Sequence, residues 1–245
     1  YVTRHWTSTD GGLSFGAPEL ATFECSKALR TDRLSSPAVD ELRKTSAQWS
    51  DRFFDAVSGS ILDLGEGLFM ATTEARLEFD TRPRAVSFRS EDGGVTWGSM
   101  AAVMGEGVES PSLAHCADGN LACLARDAGA GDLLLAWSVD QGKSWWDPIR
   151  TGSKGASPMM VGLHGNILAC CYVLDGARIM FDANGTGRRW TDRICLISDA
   201  DETVTATAIC EVSNGRLLYI YAAAEGNGKT AKTSIKALYV TVSKT

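Results

Sequence analysis

Few of the common catalytic side-chain sets are present. The three histidines, His5, His115 and His164, are scattered along the chain. No HExxH pair, phosphate-binding P-loop or dinucleotide fingerprint occurs. Seven cysteines make an odd number with no CxxC spacing, which indicates neither a thiolate metal site nor a disulfide framework. Cys116, Cys123, Cys170, Cys171 and Cys210 sit in apolar, strand-like runs and read as buried thiols acting as small hydrophobes. What remains is charge at the ends of such runs. Glu109 precedes Ser110, Pro111 and Ser112; Arg126 closes the apolar run 121–125; Arg178 follows Asp175 and Gly176. On one reading these are solvated strand-end charges. On the other, guanidinium forks hold a carboxylate by paired hydrogen bonds and a carboxyl group exchanges a proton.

The elements that would position them come from a repeat. Ser90, Asp92, Gly94, Thr96 and Trp97 recur as Ser138, Asp140, Gly142, Ser144 and Trp145. A variant is Ser8, Asp10, Gly12, Ser14 and Phe15. A looser copy over 182–190 has one extra residue and places Asn184 where the aspartate is expected. A second marker, a Gly/Asn turn before an apolar strand, keeps the same beat at Gly67, Gly119, Gly165 and Gly215, spaced 52, 46 and 50 apart. Gly and Asn accept the positive φ of tight hairpins. Each unit reads as strand, turn, strand, loop, strand, octapeptide turn, strand. Four short strands every 45 to 50 residues is the arithmetic of a propeller blade. In the octapeptide, Asp is suited to accept backbone N–H bonds of its turn, and Trp to fold back between strands.

These octapeptides resemble the Asp-box, or bacterial neuraminidase repeat, and the chain is similar to the sialidase-like superfamily over 1–15 and 58–245. The resemblance implies an all-β, six-bladed propeller with boxes on the periphery, away from the chemistry. It implies one domain over 1–245, with whole blades near 58–105, 106–151, 152–198 and 199–245. Residues 1–25 resemble the last two strands of an earlier blade, and 26–57 read as an inserted loop or short helix. Six blades of about 46 residues need roughly 280, so part of the ring is expected to lie outside these 245.

Sialidases use a tyrosine nucleophile helped by a glutamate, and arginines that clamp the substrate carboxylate. By resemblance Glu109 is the tyrosine-activating carboxylate, and Arg126 and Arg178 are substrate-binding arginines. Counting back from the Asp118-Gly119 turn puts Ser110 at the usual glutamate position, so Glu109 requires a one-residue bulge. The position expected for the tyrosine is Ala206. The first arginine of the triad and the acid/base aspartate are expected ahead of Tyr1. Tyr219, Tyr221 and Trp145 read as packing residues.

Composition narrows the partners. A net charge of −6 and 44% hydrophobic residues describe a globular chain without the basic surface of a nucleic-acid binder. Apolar runs reach eight residues, short of a membrane span. The resemblance implies a glycan or other small-molecule substrate and neither cofactor nor metal. Two readings stay open: a sialidase-like glycoside hydrolase acting on terminal sialic acid, and a non-catalytic propeller that binds carbohydrate or protein.

Overall fold

The computed structural model describes residues 2–10, 13–23, 58–77, 80–200, 202–225 and 232–243. The segment 26–57, expected to be an insertion, lies outside them, as does Cys25. All regular structure among the described residues is β.

Three antiparallel four-stranded units follow one another. The first holds β3 (Ser58–Asp63), β4 (Phe69–Ala75), β5 (Arg84–Ser90) and β6 (Thr96–Glu106). The second holds β7 (Val108–His115), β8 (Leu121–Asp127), β9 (Asp132–Ser138) and β10 (Ile149–Lys154). The third holds β11 (Ala156–Leu163), β12 (Ile167–Val173), β13 (Gly176–Asp182) and β14 (Thr191–Ser198). A fourth unit holds β15 (Thr203–Ser213), β16 (Arg216–Glu225) and β17 (Lys232–Thr241). The leading strands β3, β7, β11 and β15 neighbour one another in turn, as blades do around an axis.

The second strands show why each blade folds where it does. Leu121–Asp127 and Ile167–Val173 are near-continuous apolar runs bounded by turn residues, the pattern of strands covered on both faces. Side chains alternate across the sheet, so one strand feeds two cores. Cys123 and Ala125 join the core with Met70 and Leu113, towards the first blade. Ala122 and Leu124 join Leu133, Trp137, Leu168, Tyr172 and Met180, between the second and third blades. Ile179 and Cys171 pack with Ile209, Leu217 and Tyr219, between the third and fourth. Each large side chain fully buried in this way contributes about 1.5–3 kcal/mol.

The octapeptide turns share one hydrogen-bond pattern. The Thr96 amide donates to Asp92 Oδ1 at 2.8 Å, and the Ser144 amide to Asp140 Oδ1 at 2.9 Å. Ser90 and Ser138 accept from the Gly94 and Gly142 amides at 2.8 and 2.7 Å. Trp97 Nε1 folds back onto the Gly94 carbonyl at 2.8 Å. In the fourth copy the acceptor is Asp182, not a residue at the Asn184 position. Asp182 closes β13 where serine closes β5 and β9, and its Oδ1 accepts the Asn184 amide at 2.9 Å. Being fully buried, it cannot take its bonds from water.

Two expectations change. The hairpin of β1 (Val2–His5) and β2 (Glu19–Phe23) joins the first blade's own sheet: β2 runs parallel to the start of β6, with Phe23 opposite Trp97. Phe23 stacks on Trp97 at 5.7 Å and meets Phe88 edge-on at 5.3 Å, which anchors the hairpin there. Cys210 is exposed, because it faces outward from a fourth blade whose outer face is uncovered among the described residues. Cys116, Cys123, Cys170 and Cys171 are buried thiols, and burial pushes Cys116 up to about 12.

Candidate functional site

Glu109 and Arg126 meet because β7 carries one extra residue. Glu109 stands opposite Arg126, while Ser112 stands opposite Leu124, so three steps on β7 match two on β8. Ser110 takes the extra turn at φ 52°, and Pro111 beside it has no N–H to leave unpaired. The bulge puts Glu109 on the same face as its partner, and Arg126 Nη1 donates to Glu109 Oε2 at 2.9 Å. Both side chains are about 30% exposed, at 29% and 31%. The ion pair therefore fixes geometry more than it stabilises the fold.

Glu74 buttresses the bulge from the neighbouring blade: its Oε1 accepts the Ser110 amide at 2.7 Å. Nothing in the octapeptides points to Glu74, yet a signal existed. Glu74 lies seven residues after Gly67, as Arg126 lies seven after Gly119. The two residues thus hold equivalent places at the ends of β4 and β8, both turned towards the next blade.

Arg178 comes from the far side of the boundary between the second and third blades. It stands opposite Tyr172 on β12. Partners in an antiparallel pair share a face, and Tyr172 and Met180 pack in the core between these two blades. Arg126 shares a face with Leu124, which packs in that same core. Arg126 and Arg178 thus project from facing sheets at the same end of the molecule. Arg178 Nε donates to the Leu174 carbonyl within its own hairpin. Across this boundary, the Gly155 amide donates to the Gly131 carbonyl at 3.0 Å. A Cβ on Gly155 would come within 2.5 Å of the Tyr172 ring, so the blades close only on glycine here.

Arg193 also lies on this rim and went unnoticed in the sequence, because β14 has no motif around it. Its Nε donates to Ser153 Oγ at 2.6 Å and its Nη2 to the Thr151 carbonyl at 3.2 Å, both on β10. Tyr172 is buried and its pKa is raised, chiefly by desolvation; the Arg178 and Arg193 charges act in the opposite direction.

No tyrosine named in the sequence takes the nucleophile's place. Position 206 is an exposed alanine opposite Ala222. Tyr219 is fully buried, donates its hydroxyl to the Arg178 carbonyl at 3.0 Å, and has its pKa raised by burial. Tyr221 is buried as well. Asp80, at the same end of the first blade, is 5% exposed and bonded to the Arg84 guanidinium and the Leu77 amide, which makes it a loop anchor. The octapeptide turns sit at the opposite end of each blade. Ser138, which opens the second of them, pairs with Leu121 at the start of β8, whereas Arg126 is near that strand's end. Five residues of extended strand separate these ends by about 17 Å. Trp145 packs against the core between the first and second blades.

The family model described as a BNR repeat-like domain matches residues 2–158. No curated protein matches the chain at significant similarity. Among solved structures, a protein of unknown function from Dyadobacter fermentans superposes with a TM-score of 0.74 at 17% identity, covering 98% of this chain and 64% of its own length. A variant of the NanB sialidase from Streptococcus pneumoniae gives 0.59 at 16% identity, covering 89% of this chain and 32% of that one. An α-L-arabinanase from Penicillium chrysogenum, bound to arabinobiose, gives 0.56 at 16% identity over 78% of this chain and 64% of that one. The shared feature is the fold, and this chain spans less than two thirds of each of these three structures.

Proposed function

Because the chain belongs to the BNR repeat-like domain family, within the sialidase-like superfamily, we propose that the rim between its second and third blades is a glycosidase site for a terminal carboxylated sugar, sialic acid. The supporting observation is the bulge at Ser110, which seats Glu109 opposite Arg126 on the face of the second blade that meets the third. Arg126 and Arg178 bind the sugar carboxylate. Glu109 exchanges a proton with the group that attacks the anomeric carbon. In this reading the four blade-like units are part of a six-bladed ring.

A second reading keeps the sugar and drops the reaction. Ala206 at the tyrosine position, with Glu109 already engaged by Arg126, favours a propeller that binds acidic glycans without cleaving them. Sialyllactose, an arabinan oligosaccharide and a β-galactoside, each incubated with the wild type and with Glu109→Gln, separate the readings. Release of sialic acid by the wild type and its loss in the variant supports the hydrolase. Binding of sialyllactose without release supports the second reading. Cleavage of the neutral glycans alone, or no binding at all, overturns the sialic-acid assignment.

A further inference from the structure

We infer that Arg193 is an anion-binding residue that works with Arg178: these two guanidiniums supply the net positive charge for an acidic group on the sugar, and Arg126, neutralised by Glu109, adds hydrogen bonds without net charge. This rests on the reading that the rim is the ligand site. Charge bookkeeping carries the argument. Arg126 is engaged by Glu109 at 2.9 Å, and nearby Arg150 by Asp132 at 3.2 Å. Arg178 and Arg193 instead donate to neutral oxygens, those of Leu174, Ser153 and Thr151, and neither forms an ion pair with a carboxylate among the described residues. Arg178 stands opposite Cys195 on β14, two residues along that strand from Arg193.

The geometry suits a ligand. Arg193 crosses from β14 to β10, and the Ser153 side chain that seats it belongs to a residue only 7% exposed. With Nε and one Nη2 hydrogen occupied, both Nη1 hydrogens and the second Nη2 hydrogen remain available. Arg178 keeps four hydrogens beyond its bonded Nε. Two like charges on one rim repel each other, and a carboxylate or sulfate between them removes that cost. The alternative role for Arg193 is a strut that ties the outer strands of two blades.

Calorimetric titration of the protein with N-acetylneuraminic acid, its methyl ester and inorganic sulfate distinguishes these roles. The wild type is expected to bind the acid at least tenfold more tightly than the ester and to bind sulfate at millimolar concentration. Arg193→Gln should abolish sulfate binding and erase the preference for acid over ester, leaving ester affinity unchanged. Should Arg193→Gln fail to fold, Arg193→Lys provides the reading: it keeps the charge, loses the fork and should weaken acid binding about tenfold. Sulfate binding that requires Arg193, without binding of either sugar, upholds the anion pair and removes the sialic-acid reading. A folded Arg193 variant with full acid preference and full sulfate binding shows a strut and overturns the inference. So does a wild type with neither.

Discussion

Glu109 shows how much one residue of register decides. Counted from the turn, it belongs on the wrong face of its strand. The structure brings it round with the one-residue bulge that the count required, placed at Ser110 with positive φ and followed by Pro111. Arg126 was legible because it ends an apolar run. Glu74 and Arg193 were not, since each acts across a blade boundary that no local pattern encodes. If Glu109 both aids catalysis and holds Arg126, then Glu109→Gln should lower turnover while tightening binding of free sialic acid, because it releases a guanidinium. A parallel loss of both would contradict this division of roles.

The box aspartates make an independent residue-scale prediction. Bonds from Ser144, first through its hydroxyl and then its amide, hold the Asp140 carboxyl down at about 2. A carboxyl lowered on folding adds stability that is present above its unfolded pKa of about 3.9 and is lost as pH falls towards its folded value. Wild type and Asp140→Ala should therefore differ by about 0.5–2 kcal/mol at neutral pH, the scale of a lost capping interaction. Their melting curves should draw together between about pH 4 and pH 2, with ligand affinity unchanged throughout. A pH-independent difference, or a loss of affinity at neutral pH, would contradict a purely local role in the turn.

At the scale of elements, the sequence showed the blades well because two independent markers kept one period. The limits expected at 58–105 and 152–198 fall within a few residues of the observed β3–β6 and β11–β14. The N-terminal hairpin was misplaced because its parallel pairing to β6 depends on Phe23 meeting Trp97 and Phe88 in space. Blades also lock through their turns. Gly142 has a φ of 79°, and a Cβ there would lie 1.9 Å from Met70 Cε in the preceding blade. Gly142→Ala should destabilise the protein by about 1–3 kcal/mol from overpacking and backbone strain. Adding Met70→Ala should cost less in that background than in the wild type, because the cavity relieves the clash. Chemical denaturation of the four proteins measures this; strict additivity would mean that the two blades do not meet there.

At the scale of the whole molecule, the fourth blade presents an apolar outward face. Ile235 is 80% exposed and Tyr239 is 58% exposed, and their cross-strand partners on that face are Ala222 and Leu218. Elsewhere such faces are covered by the next blade, and the proposed six-bladed ring would cover this one. Ile235→Asp should reduce binding of a hydrophobic dye with little change in melting temperature. Equal dye binding would place the sticky surface elsewhere. The propeller was readable from composition and period, whereas the site depends on which blades face each other, and the sequence carries that only indirectly.

Binding of a carboxylated sugar at the rim between the second and third blades is measured by titrating free sialic acid into the wild type and Arg178→Lys in one calorimetric series. The wild type is expected to bind, and Arg178→Lys to bind about 1–3 kcal/mol more weakly, roughly fivefold to 150-fold, because lysine keeps the charge and loses the fork. No binding by the wild type, or equal binding by the folded lysine variant, would contradict a carboxylate site at this rim.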